Sequence, residues 1–195
     1  MASELILAST SPYRRALLER LGVTFRSEAP GVDEDAVKHA ESDPVRLAER
    51  LASAKAEAIA ERFPNAIVIA SDQLATIDGE VLGKPGTARK AVEQLERLAG
   101  RTHELVTAVC VLRLSDGVRH LHTDRTRLTM RSLSRDALER YVALDTPLDC
   151  AGAYKIESAG IAMFDRIETQ DFTAITGLPL IAVVRMLGEF GVRVP

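Results

Sequence analysis

Apolar and polar positions change period several times along the chain, and each change predicts an element. A short apolar run, Leu5 to Ala8, reads as a buried strand, and Ser9-Thr10-Ser11-Pro12 then opens a helix whose apolar positions Ala16, Leu17 and Leu21 end at Gly22. Asp43-Pro44 supplies an N-cap and a first-turn proline for a second helix to about Arg62, with Leu47, Leu51, Ala54 and Ala58 along one face and Pro64 closing it. Ala66 to Ser71 is continuously apolar over a strand's length; Leu74 to Ile77 and Glu80 to Leu82 flank Asp78-Gly79, a dipeptide suited to a two-residue hairpin. Thr87 caps a helix through Leu98, ended by Gly100. From Thr102 to Met130 the β-branched content rises, and Asp116-Gly117 divides the stretch into two long strands. Ser134 caps a short helix to about Val142, a strand is expected around Gly160 to Phe164, and Leu178 to Phe190 reads as a closing helix. Helices interleaved with hairpins and apolar strands predict an α/β fold with a mixed sheet, and the absence of repeats or a Pro/Gly/Ser-rich linker predicts one continuous domain over 1–195.

Composition narrows the classes further. With 195 residues, 46% hydrophobic and 27% charged, the chain can bury a core of its own. Its 25 basic and 28 acidic residues leave a net charge of −3, which offers no broad footprint for nucleic acid or an anionic membrane, so any anion site must be local. Met1 to Ser9 sets Glu4 before only four apolar residues, unlike a signal peptide, and no apolar run approaches the ~18 residues of a membrane span. Cys110 and Cys150 form no paired motif. A cytoplasmic protein is expected.

Several residues stand out chemically. Ser9, Ser11, Arg14 and Arg15 cluster where a strand ends and a helix begins, and cations near the positive end of a helix dipole call for an anion between them. The alternative is a serine cap followed by two solvated arginines. Lys55 follows Leu47 and Leu51 at steps of four, so it falls on an apolar stripe and must either snorkel or pair. Asp72 follows the apolar strand, at the end where open α/β sheets assemble ligand sites. Gly83-Lys84-Pro85 is a turn able to present Lys84 to a phosphate, and Asp33-Glu34-Asp35 is an acidic cluster able to hold a hard divalent cation. Together these suit phosphoryl or nucleotidyl chemistry. The P-loop pattern and the dinucleotide G-x-G-x-x-G are both missing, and His120 and His122 lack a third zinc ligand.

These residues, in this order, resemble the Maf family of nucleoside triphosphate pyrophosphatases. The opening S-x-S-P-x-R-R is met by Ser9, Ser11, Pro12, Arg14 and Arg15, V-D-E by Val32-Asp33-Glu34, the helical lysine by Lys55, S-D by Ser71-Asp72 and G-K-P by Gly83-Lys84-Pro85. Gly100-Arg101-Thr102-His103, Thr107, Ala151-Gly152-Ala153-Tyr154 and Gly177-Leu178-Pro179 complete a pattern spanning essentially the whole chain. The resemblance implies an elongated, twisted mixed sheet with helices, two lobes and a central cleft, assembled as a homodimer. It also implies hydrolysis of a nucleoside triphosphate between the α- and β-phosphates with Mg²⁺ or Mn²⁺. Asp72 matches the family's proton acceptor; the residues themselves make Ser9, Ser11, Arg14, Arg15, Lys55 and Lys84 the phosphate-binding candidates and Glu34 and Asp72 the carboxylates able to hold the metal. Tyr13, Gln73 and Glu157 occupy three positions that separate the family's branches, and an aromatic, Gln and Glu resemble the branch acting on 7-methyl-GTP. Tyr13 stands where that branch often carries Trp. The readings left beside it are a dTTP, UTP or CTP pyrophosphatase of the same family and a nucleotide-binding regulator of cell division.

Overall fold

The computed structural model describes residues 4–194; the first three residues of the N-terminal stretch read above for a targeting signal lie outside it. The strands are β1 (Leu5–Leu7), β2 (Arg26–Ser27), β3 (Ile67–Ile77), β4 (Glu80–Leu82), β5 (Thr102–Arg113), β6 (Val118–Met130) and β7 (Phe164–Glu168). The helices are α1 (Pro12–Glu19), α2 (Glu34–Ala40), α3 (Pro44–Arg62), α4 (Ala88–Leu98), α5 (Arg135–Asp145) and α6 (Leu180–Glu189). The strands form a mixed sheet of order β2-β1-β3-β5-β6-β7, with β4 paired to β3. The mixed α/β class is as the sequence predicts. Among the described residues no helix is long and apolar enough to cross a membrane.

The chain divides into two compact units, one from residues 4–72, 107–124 and 171–194, the other from 73–106 and 125–170. In the first, β1 pairs in parallel with β2 and β3, Ile6 lying opposite Arg26 and Val68. Both pairings are parallel, and β1 is buried along its whole length, as its uninterrupted apolar run requires. Leu5, Leu7, Ile67, Ile69, Val109 and Val111 meet Leu17 and Leu18 of α1 and Val183, Met186 and Leu187 of α6 in one core cluster. Helix α3 begins where Asp43 caps the Arg46 amide at 2.9 Å and Pro44 needs no amide partner. It buries the stripe Leu47, Leu51, Lys55 and Ile59.

In the second unit, Asp78 and Gly79 both take positive φ, 52° and 79°, which closes the β3–β4 hairpin in the sense that matches strand twist. Helix α4 packs on α5, burying Val92, Leu95 and Leu98 against a partner that buries Leu138, Tyr141 and Val142. The strand expected around Gly160 to Phe164 is displaced: residues Ala159–Met163 form a 3-10 turn, and β7 starts at Phe164. Gly160 explains the shift. Its amide donates to the Lys155 carbonyl at 3.0 Å, and a Cβ there would stand 2.4 Å from that oxygen, so the chain curls before it can extend.

His103, on β5, is 2% exposed, its Nε2 2.9 Å from the Tyr154 hydroxyl and its ring packed against Tyr154 and Phe164. Nδ1 has no partner among the described residues, and burial pushes the imidazole down to about 4. The folded protein therefore holds fewer protons here than the unfolded chain below pH ~6.5. Stability is expected to fall by up to about 3 kcal/mol as pH drops from that value towards 4, and His103→Gln should flatten the slope of denaturant midpoint against pH. Equal slopes in the two proteins would mean that the folded imidazole takes up its proton at an ordinary pH.

Candidate active site

Four sequence-selected side chains meet in the first unit. Asp72 continues the buried face of β3, and Lys55 comes to it from the apolar stripe of α3, so that Nζ lies 2.6 Å from Asp72 Oδ1. The same ammonium lies 2.7 Å from Glu34 Oε1. Lys55 and Asp72 are each 8% exposed at the side chain, so the sequence's choice between snorkelling and pairing resolves as pairing. Glu34 reaches the cluster because Asp33 starts a helix there: Asp33 Oδ1 accepts from the Asp35 and Ala36 amides, each at 3.2 Å. The acidic triplet is thereby divided. Asp33 caps, Asp35 pairs with Lys38 at 3.3 Å, and Glu34 joins Lys55 while its other oxygen lies 3.6 Å from Lys38.

Arg14 is the fourth member. Its Nε donates to the Gly177 carbonyl at 2.9 Å, which fixes the guanidinium plane and leaves the terminal nitrogens as the donors that can face an anion. Burial holds this guanidinium below its ordinary value, while the charges of Asp72 and Glu34 oppose that fall. The Gly177 carbonyl is itself held by the Ser71 hydroxyl, 2.8 Å from both it and the Ala108 carbonyl. With φ at 99°, position 177 favours glycine, and a Cβ there would press on Arg14 Nε at 3.2 Å.

The remaining residues fall differently. Ser9 is buried and its Oγ accepts from the Ser11 amide at 3.1 Å; Ser11 Oγ caps α1 through the Arg14 amide at 3.4 Å. Since Pro12 has no N–H, the helix start is largely satisfied from within. Tyr13 is half-buried in the first turn of α1. Arg15 points to solvent and pairs with Glu19 at 3.0 Å. Gln73, half-buried, and Lys84 and Glu157, both exposed, belong to the second unit.

Sequence reasoning missed Asp171. Its Oδ1 accepts from the Thr173 amide and hydroxyl at 2.9 and 2.6 Å, its Oδ2 from the Ile181 amide at 2.8 Å, and Thr173 Oγ1 accepts from the Leu180 amide. This knot shapes the turn that carries Gly177 and so positions Arg14. The signal was Asp171-Phe172-Thr173, an Asx-type capping pair just ahead of the closing helix.

The sequence model of the Maf-like proteins matches residues 4–190. The chain belongs to the Maf-like family. A Maf-like relative from Bdellovibrio bacteriovorus, named 7-methyl-GTP pyrophosphatase, is 48% identical over 94% of this chain and 95% of its own. One of the same name from Xanthomonas campestris pv. campestris (strain 8004) is 48% identical over all of both chains. Among solved structures, a HAM1 protein from Coxiella burnetii matches with a TM-score of 0.52 at 13% identity, covering 96% of this Maf-like chain and 100% of that one; the likeness is one of fold.

Proposed function

We propose that the protein hydrolyses 7-methyl-GTP to 7-methyl-GMP and diphosphate, acting on modified nucleotides of the cytoplasmic pool. The observation that carries the reaction class is the buried Asp72 carboxylate with Lys55 and Arg14 around it, a general base set among donors for phosphate. Asp72 takes a proton from water as the water oxygen bonds to the α-phosphorus; the bond from that phosphorus to the bridging oxygen breaks, and its electron pair leaves on diphosphate. Arg14 and Lys55 bind and neutralise the departing phosphates. The substrate follows from the names of the full-length relatives and from Tyr13, Gln73 and Glu157. The methylated base is cationic, which favours an aromatic partner such as Tyr13.

A divalent cation fits the donor set. Glu34 and Asp72 already bring one oxygen each to a single cationic centre. Two carboxylates completed by phosphate oxygens and water are what Mg²⁺ accepts, and the ion would supply charge neutralisation on the phosphates. The test is diphosphate release from 7-methyl-GTP, GTP, dTTP, UTP and CTP with Mg²⁺ or Mn²⁺. The expected result is a preference for 7-methyl-GTP. Preference for pyrimidine triphosphates would overturn the substrate and keep the reaction; triphosphate binding without release from any nucleotide would overturn the enzyme.

A further inference from the structure

The charges of the cluster are paired with one another. Lys55 bridges Glu34 and Asp72 at 2.7 and 2.6 Å, Arg14 interacts electrostatically with the same two carboxylates, and Lys38 stands 3.6 Å from the other oxygen of Glu34, so both carboxylates are already met by cations, Lys55 and Asp72 buried and Glu34 partly exposed. Oδ1 of Asp72, an oxygen placed to receive a proton from water, is occupied by the ammonium. A divalent cation arriving alone would crowd three positive groups onto two carboxylates. A triphosphate arriving alone would meet those carboxylates directly. Arriving together, the two offset each other's charge, provided the ammonium moves from carboxylate to phosphate.

We propose that Lys55 is an exchange residue: its ammonium stands in for the divalent cation between Glu34 and Asp72, and passes to the triphosphate when the metal takes those carboxylates, so that metal and nucleotide bind cooperatively. This rests on the pyrophosphatase reading and adds to it the order in which the site is filled. A lysine suits the task because four rotatable bonds let one point charge change partners, whereas Arg14 is tethered through Gly177. The proposal also accounts for a buried pair at the site: while Lys55 holds Asp72, the carboxylate is kept from water until substrate arrives.

Coupling of this kind is reciprocal, so it can be read from the metal alone. Mn²⁺ affinity is measured by electron paramagnetic resonance on wild type and Lys55→Met, with and without the non-hydrolysable α,β-methylene analogue of 7-methyl-GTP. In wild type the analogue is expected to raise Mn²⁺ affinity by about 10-fold or more. In Lys55→Met, with the competing ammonium gone, Mn²⁺ alone should bind about 10-fold tighter than to wild type, and the gain from the analogue should shrink. Mn²⁺ binding to the variant no tighter than to wild type would overturn the proposal. Because removing a buried cation can unfold the cluster, a second measurement uses the wild type: the ¹⁵Nζ resonance of Lys55 should shift, and its protons exchange faster with water, on addition of Mg²⁺. An ammonium signal unmoved by saturating Mg²⁺ would equally overturn it. Failure of the analogue to bind wild type would instead strike at the pyrophosphatase reading, and the metal-only comparison would still decide the exchange.

Discussion

Asp72→Asn is expected to lower turnover by about 10³-fold, the usual scale for loss of a positioned general base, while leaving nucleotide binding nearly intact. The amide is isosteric with the carboxylate and keeps an oxygen that can accept from Lys55, and Lys55 keeps its second partner, Glu34, at 2.7 Å. The buried ammonium is therefore not stranded, which separates this change from the truncation of an ordinary buried ion pair, where about 3–5 kcal/mol is lost. Removing a negative charge also lessens repulsion of the triphosphate, so the dissociation constant of a non-hydrolysable analogue, measured without divalent cation, should hold or fall. Single-turnover diphosphate release and calorimetric binding measure the two effects separately. If binding collapses along with turnover and the thermal midpoint drops, Asp72 is an anchor for Lys55 and the base must be sought elsewhere.

That experiment is framed by residues whose meaning was legible at different depths. Helix α3 was readable because Asp43-Pro44 starts it and a four-residue apolar stripe runs through it, and Lys55 stood out only because it broke that stripe. Helix α2 carries no buried residue, so no apolar period marked it, and Glu34 was legible only as part of an acidic triplet. Whether Arg14 or Arg15 turns inward was beyond the sequence. Successive residues of a helix point about 100° apart, so the pair could not face one way, and the choice was made by a contact 163 positions distant, the Gly177 carbonyl. Likewise the curl at Gly160 depends on its fit against Lys155, a backbone contact that composition does not encode.

The Arg14 side chain carries the second large effect. Arg14→Ala should reduce kcat/KM by about 10²–10⁴-fold, the loss expected when two hydrogen bonds to a charged ligand, each about 1.5–3 kcal/mol, disappear together. Arg14→Lys divides charge from geometry. A lysine restores the cation, but its one ammonium cannot both donate to the Gly177 carbonyl and present a planar fork to phosphate oxygens. It should therefore recover only part of the loss, and the deficit should lie more in kcat than in KM if the fork tightens on charge that develops as diphosphate departs. Ser71→Ala tests the anchor from the other side. Gly177 would lose one of its two donors while Arg14 keeps its charge, so a kcat deficit there, without a fall in analogue affinity, would tie the orientation of the guanidinium to the reaction itself. Full activity in Arg14→Lys would mean that the guanidinium acts as a point charge and that its tether to Gly177 serves the fold alone.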